Sequence, residues 1–344
     1  MQFQPTYSMT QPESIIDVEN PAILNESDWI GTGKSYPTIP ENVPEALRNY
    51  RSLHLEIPRD SAQILLPNNN LTVKDLIEKT LPKVLHGLVF KPPKRCYQIL
   101  KPNQDVDCLR YRALPAKAFV HAAMEDLGQA LLDGKKSVED LSFPQSRLPL
   151  WVLQFWNKMH GIVHAQAQWR KGLSWIDSNI TARLERSASP ELKPFEEARQ
   201  RLLTIRWNEQ TEIPGAATPS TTFDFVGFLG THWLTDTHID MMFRNLSDRA
   251  EQVESLDSFI IIEDLRFMAD INKATSARDH NEPLTRFLRR LEERIISRST
   301  KSDTLLFPAH LPKHKHWVAI KIDFDAETIS YGEHFVVSAS LNLT

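Results

Sequence analysis

The residues from His316 to His334, HWVAIKIDFDAETISYGEH, set a histidine before one apolar stretch and a carboxylate, Glu333, just after a second. Trp317 to Phe324 and Thr328 to Tyr331 have strand character, and Asp325-Ala-Glu327 reads as the turn between them. Neighbouring antiparallel strands bring residues distant in sequence within a few ångströms, so His316 and Glu333 are expected side by side at one sheet edge. A carboxylate bonded to one imidazole nitrogen fixes the tautomer and leaves the other nitrogen to act as a base. Such a pair is a nucleophilic triad short of its nucleophile. On spacing alone, an ordinary surface hairpin accounts for the same residues.

A second chemistry is carried by His310, His314 and His316, spaced H-x3-H-x-H. Three imidazoles and a water would suit a catalytic zinc, with Glu333 behind them. Pro312 and the neighbouring lysines give this stretch the texture of a loop rather than a strand, so no metal ligand is assigned.

The order of these residues resembles that of the ubiquitin-like-protein-specific (SUMO/NEDD8-type) cysteine protease family. Its catalytic domain runs WLxDxxI, then HW, an iDf strand, a tI.Y strand and an acid, then a cysteine motif. Trp233-Leu-Thr-Asp236-Thr-His-Ile239 matches the first block. His316-Trp317, Ile322-Asp323-Phe324 and Thr328-Ile329-Ser-Tyr331 match the second. The resemblance covers about residues 223 to 335, and SYGEHF is similar to fungal, often transposon-associated members with a helical N-terminal extension. It implies a partial papain-like (adenain-type) fold and a thiol protease that needs no cofactor. The reaction implied is hydrolysis of the peptide or isopeptide bond after Gly-Gly of a SUMO-like modifier, which makes that modifier the expected partner. His316 takes the place of the general base and Glu333 that of its orienting acid. Trp233 and Asp236 match positions lining the channel for the Gly-Gly tail, and Trp317 is expected as another wall of it. Asp323, seven residues along the strand from His316, is expected to be structural.

In that family the nucleophilic cysteine, in an Asp-Cys-Gly motif, follows the acid, and the tail FVVSASLNLT does not resemble the family's continuation. Cys96 and Cys108 both lie upstream, outside that context, and are expected to be structural thiols. The catalytic domain thus reads as truncated before its nucleophile. Loss of a triad nucleophile costs roughly a factor of 10⁶ in turnover, so the 344-residue chain is expected to be inactive alone. A non-catalytic pseudoprotease or a protein-binding module is the alternative.

The elements that would position these groups belong to an α+β domain after an all-α N-terminal region. Residues 1–70, rich in proline and polar residues, are expected to be mostly irregular or disordered. A helical region is expected over 71–210. Thr72 and Asp75 have capping-box spacing at its start, and Pro82 should break the apolar pattern running to Leu88. Pro115 opens a helix that Gly134 ends, with Phe119, Val120, Ala123, Met124, Leu127 and Leu131 as its buried stripe. From about Leu150 the periodicity predicts one long helix. Four tryptophans lie between 151 and 175 on it, a stripe that is either core or a groove for a protein partner. A further helix covers about 190–208. Residues 211–222 read as a linker, with the protease-like domain over 223–344. There a helix starts at Thr235 and Phe259 to Ile262 is a short apolar run. Leu284, Phe287, Leu288, Leu291 and Ile295 mark a charged amphipathic helix.

Composition narrows the classes. A net charge of −4 with both signs interspersed gives no pull toward nucleic acid or an anionic membrane. The arginines between 286 and 298 alternate with Glu292 and Glu293, as on a solvated helix face. No apolar run approaches the roughly 20 residues that span a bilayer. Two cysteines in so long a chain argue for a reducing intracellular compartment, nuclear or cytoplasmic.

Overall fold

The computed structural model describes residues 29–37, 39–85, 96–185, 192–211, 220–231, 233–252, 259–268, 271, 289, 293, 303–311, 316–332 and 337–340. The chain forms two compact units, Met1–Pro67 with Thr80–His164 and Asn68–Lys79 with Ala165–Thr344. The fold class is α+β, as expected.

Among the described residues three short α-helices come first, α1 (Glu45–Leu55), α2 (Arg59–Leu65) and α3 (Val73–Glu78). Helices α1 and α2 stand where sequence predicts irregular chain. Each follows a proline, Pro44 or Pro58, whose fixed φ prepares a helix start, and each is too short to show sustained periodicity. Leu47, Leu55 and Leu65 are their buried residues. The expectation for residues 1–28 lies outside the described residues. The α3 start is the predicted capping box, with Asp75 N–H donating to Thr72 Oγ1 and Thr72 N–H donating back to Asp75. That exchange holds the Asp75 carboxyl below its ordinary range.

In the first unit, β1 (Tyr97–Gln98) pairs with β2 (Ser137–Asp140), and β2 with β3 (Phe143–Pro149), all antiparallel. Helix periodicity gave no sign of this small sheet in the middle region. Helix α4 (Lys117–Leu132) buries Phe119, Val120, Ala123, Leu127 and Leu131 as predicted, and Gly134 ends it at φ +73°.

The long helix α5 (Val152–Glu185) is also as predicted, and the boundary between the two units falls inside it. Trp151, Trp156 and Trp169 are buried and Trp175 is half-buried. The three buried indoles are core of this chain, the first of the two expectations for this stripe. In the second unit Trp169 Nε1 donates to the Trp207 carbonyl, and its ring meets Phe223 edge-on. Gln166 donates to the Leu76 and Lys79 carbonyls, satisfying groups that the end of α3 leaves open.

Helix α6 (Leu192–Thr204) follows, then the two-stranded pair β4 (Gln210–Thr211) and β5 (Ser220–Thr221), a 3-10 segment Thr222–Phe228, and α7 (Asp236–Gln252). Among the described residues the largest sheet has the order β10-β9-β8-β7-β6, from β6 (Phe259–Ile262), β7 (Asp303–Leu311), β8 (His316–Asp323), β9 (Thr328–Gly332) and β10 (Val337–Ser340). β6 runs parallel to β7, and the other neighbours are antiparallel. Ile261, Phe267, Leu305 and Phe307 form its core cluster, with Ile320 and Ile322 packed against it. Of the predicted amphipathic helix, only Arg289 and Glu293 are described, and both are helical. Its apolar residues lie outside the described ones. No described helix is long and apolar enough to cross a membrane.

Candidate active site

β8 positions His316. Its pairing with β7 runs from Thr304↔Asp323 to Leu311↔His316, and its pairing with β9 runs from Asp323↔Thr328 to Ala319↔Gly332. Side chains alternate across a strand, so His316 shares a row with Val318, Ile320 and Ile322, the row that packs on the sheet's core. Burial of that row fixes the register, since a slip of one residue would turn the whole row to the other face. His316 is half-buried at the open end of the row.

Trp317, Ala319, Lys321 and Asp323 form the opposite row. Lys321 donates to Asp323 across two residues at 3.1 Å, as that alternation requires. Asp323 also accepts from the Ala326 N–H in the turn. These bonds hold its carboxyl below the ordinary range, and the residue has a turn-building place. Glu327 closes the turn at φ +50°.

Trp233 arrives from the loop ahead of α7. Its ring meets His316 edge-on, centroids 6.0 Å apart and planes at 86°. The indole is 74% exposed, so this contact leaves most of it open to solvent. Trp317 instead lies against His310, its cross-strand neighbour, with centroids 4.7 Å apart. The structure therefore brings Trp233 to His316 and seats Trp317 in the other row. Asp236 is exposed in the first turn of α7, where a carboxylate complements the helix dipole. Glu333 and His314 lie outside the described residues. Among the described residues no group of three His, Cys, Asp or Glu side chains could hold a metal.

Cys96 is fully buried in the first unit, and burial pushes its thiol up to about 12. Cys108, half-buried there, is also raised by burial. Neither has the lowered pKa of an attacking thiol.

Sequence reasoning passed over His238, which lies in the Trp233 block and is buried. Its signal was Thr235-x-x-His238, the spacing of a capping box with imidazole in the usual place of Glu or Gln. His310 drew notice only as a metal ligand, because its pairing with Trp317 depends on register across two strands.

No curated protein and no solved structure matches the chain. One family model does, over residues 232–333, a span that opens beside Trp233 and closes at Glu333. The loop indole, the strand histidine it touches and the hairpin after it all fall within that span, and the matching model is that of the Ulp1 protease family, C-terminal catalytic domain, to which residues 232–333 are similar.

Proposed function

We propose that residues 232–333 bind the Gly-Gly tail of a SUMO-like modifier and carry the base and its orienting acid for cleaving the bond after that tail. The observation that carries this reading is the contact of Trp233 with His316, an exposed indole held against a strand-end imidazole. His316 and Trp317 are the first two residues of β8. A tail laid across that strand end would meet Trp233 on one side and Trp317 on the other, with Asp236 beside the entrance. Glu333 is the proposed partner that fixes the His316 tautomer.

In this chemistry a thiolate attacks the carbonyl carbon of the last glycine. The imidazolium formed from His316 then protonates the departing amine, and water, deprotonated by His316, releases the tail as a carboxylic acid. Cys96 and Cys108 are not proposed as that thiol, because burial raises both. The activity proposed for these 344 residues alone is therefore tail binding without cleavage.

The test is titration of the full chain with a SUMO-like modifier ending in Gly-Gly, beside a modifier whose C-terminus bears an electrophile. Binding that needs the Gly-Gly tail, with no covalent adduct, is the expected result. Affinity unchanged by removal of the two glycines would overturn the reading, and labelling of either cysteine would overturn the assignment of no nucleophile.

A further inference from the structure

His238 is a buried imidazole whose two nitrogens are both engaged. Nδ1 accepts from the Thr235 backbone N–H at 3.0 Å, so it carries no proton. The Thr235 hydroxyl approaches the same nitrogen at 2.6 Å. Nε2 therefore bears the proton and donates it to the Asp224 carbonyl at 2.8 Å. Thr235 stands directly before α7, and its own carbonyl accepts from Ile239 N–H. Asp224 lies in the 3-10 segment, where its carboxylate accepts from Thr221 N–H. One ring thus ties the start of α7 to a segment that is itself capped.

Two further contacts leave the ring little freedom. Phe228 meets it edge-on with centroids 4.9 Å apart. A Cβ at residue 227 would fall 1.9 Å from Nε2, so only glycine leaves room for the imidazole there. The loop between the tied elements is short and carries Trp233. At its other end Leu229 packs so closely on α5 that a Cβ at residue 172 would lie 2.8 Å from Leu229 Cδ1.

Trp233 itself has no comparable burial to hold it, being 74% exposed. Its place against His316 is then set by where its loop begins and ends. We propose that His238 is a positioning residue, a latch between α7 and the 3-10 segment that fixes Trp233 edge-on to His316 for receiving a substrate tail. The tail-binding half of this statement rests on the function proposed above, while the latch itself does not.

The latch can be tested in the full chain by substituting the ring or crowding it. His238→Gln keeps an acceptor for the Thr235 N–H at capping-box spacing but lacks the imidazole's rigid reach to Asp224. Gly227→Ala keeps His238 and pushes its ring from its seat. A protonated imidazole quenches an adjacent indole. The fluorescence change between about pH 5 and 8, where imidazoles change charge, taken as wild type minus Trp233→Phe, therefore reads the Trp233–His316 contact. Both latch variants should shrink that difference at least two-fold and weaken modifier binding several-fold, while circular dichroism shows the helices retained. A general loss of packing would not single out this one ring pair.

If Trp233→Ala leaves modifier affinity unchanged while the latch variants still shrink the quench, tail binding at Trp233 falls and the latch stands. If Trp233→Ala weakens binding but the latch variants alter neither signal, the latch is overturned. Should both variants fail to fold, the wild-type imidazole decides by nitrogen NMR. A ring carrying its proton on Nε2 supports the latch, and the Nδ1–H tautomer refutes it.

Discussion

The indole of Trp233 meets the imidazole of His316 edge-on, although one comes from a loop before α7 and the other from the first residue of β8. An aromatic edge pair of this kind adds about 0.5–1.5 kcal/mol beyond burial. In the proposed function that indole gives up its exposed face to a substrate tail. Replacing Trp233 with alanine should therefore weaken modifier binding by about ten-fold or more, since buried tryptophans dominate such contacts. Titration calorimetry of the variant against wild type checks this, with Trp233→Phe expected between the two.

The sheet that holds His316 depends on a small core. Phe307 is 4% exposed and packs on Phe267 with ring centroids 4.6 Å apart. Phe307→Ala leaves a cavity under β7 and should cost about 3–5 kcal/mol. Chemical denaturation followed through the second unit should show it, and the Trp233 quench should be lost at lower denaturant than in wild type.

Glu327 holds a left-handed backbone conformation in the β8–β9 turn, at φ +50°. A side chain there costs roughly 1 kcal/mol that glycine avoids. Glu327→Gly is expected to leave the hairpin in place and raise its stability by up to about that amount. A thermal melt, with hydrogen exchange of the β8 amides, measures the gain.

Acid should weaken the first unit. His160 is buried in α5, with Nε2 donating to the Pro115 carbonyl at 2.8 Å, and burial holds its pKa below the usual 6.5. The unfolded chain therefore takes up a proton first as pH falls. The contribution is intact above about pH 6.5 and declines below it until the folded-state value is reached. Melting temperature should drop over that window in wild type, and by less in His160→Gln.

Thiol reactivity should follow burial. With its thiol pushed up to about 12, Cys96 is expected to resist alkylation at pH 8 until the chain unfolds. Cys108, only half-buried, should react sooner. Mass spectrometry of the time course, with and without denaturant, separates the two.

What the sequence determined was local. The Thr72–Asp75 capping box, the Gly134 stop, the long helix through Trp169 and the strand after His316 each rest on residues within a few turns of one another. Side-chain spacing and capping act at that range. Strand β7 escaped the sequence reading because Pro308 breaks its pattern. The fold tolerates it because β6 pairs with β7 only as far as Leu306, leaving Pro308 a strand partner on the β8 side.

Tertiary structure alone decided which ring meets which. The WLTD and HW blocks both show in sequence, yet nothing there says that Trp233 reaches His316 while Trp317 turns to His310. That choice follows from strand register, set by the burial of Leu305, Phe307 and their β8 partners. His238 gained its role in the same way. Its second partner, Asp224, is brought close only when the chain between them closes on itself. Local propensity is written along the chain, whereas contact between distant rings depends on how the packed elements sum.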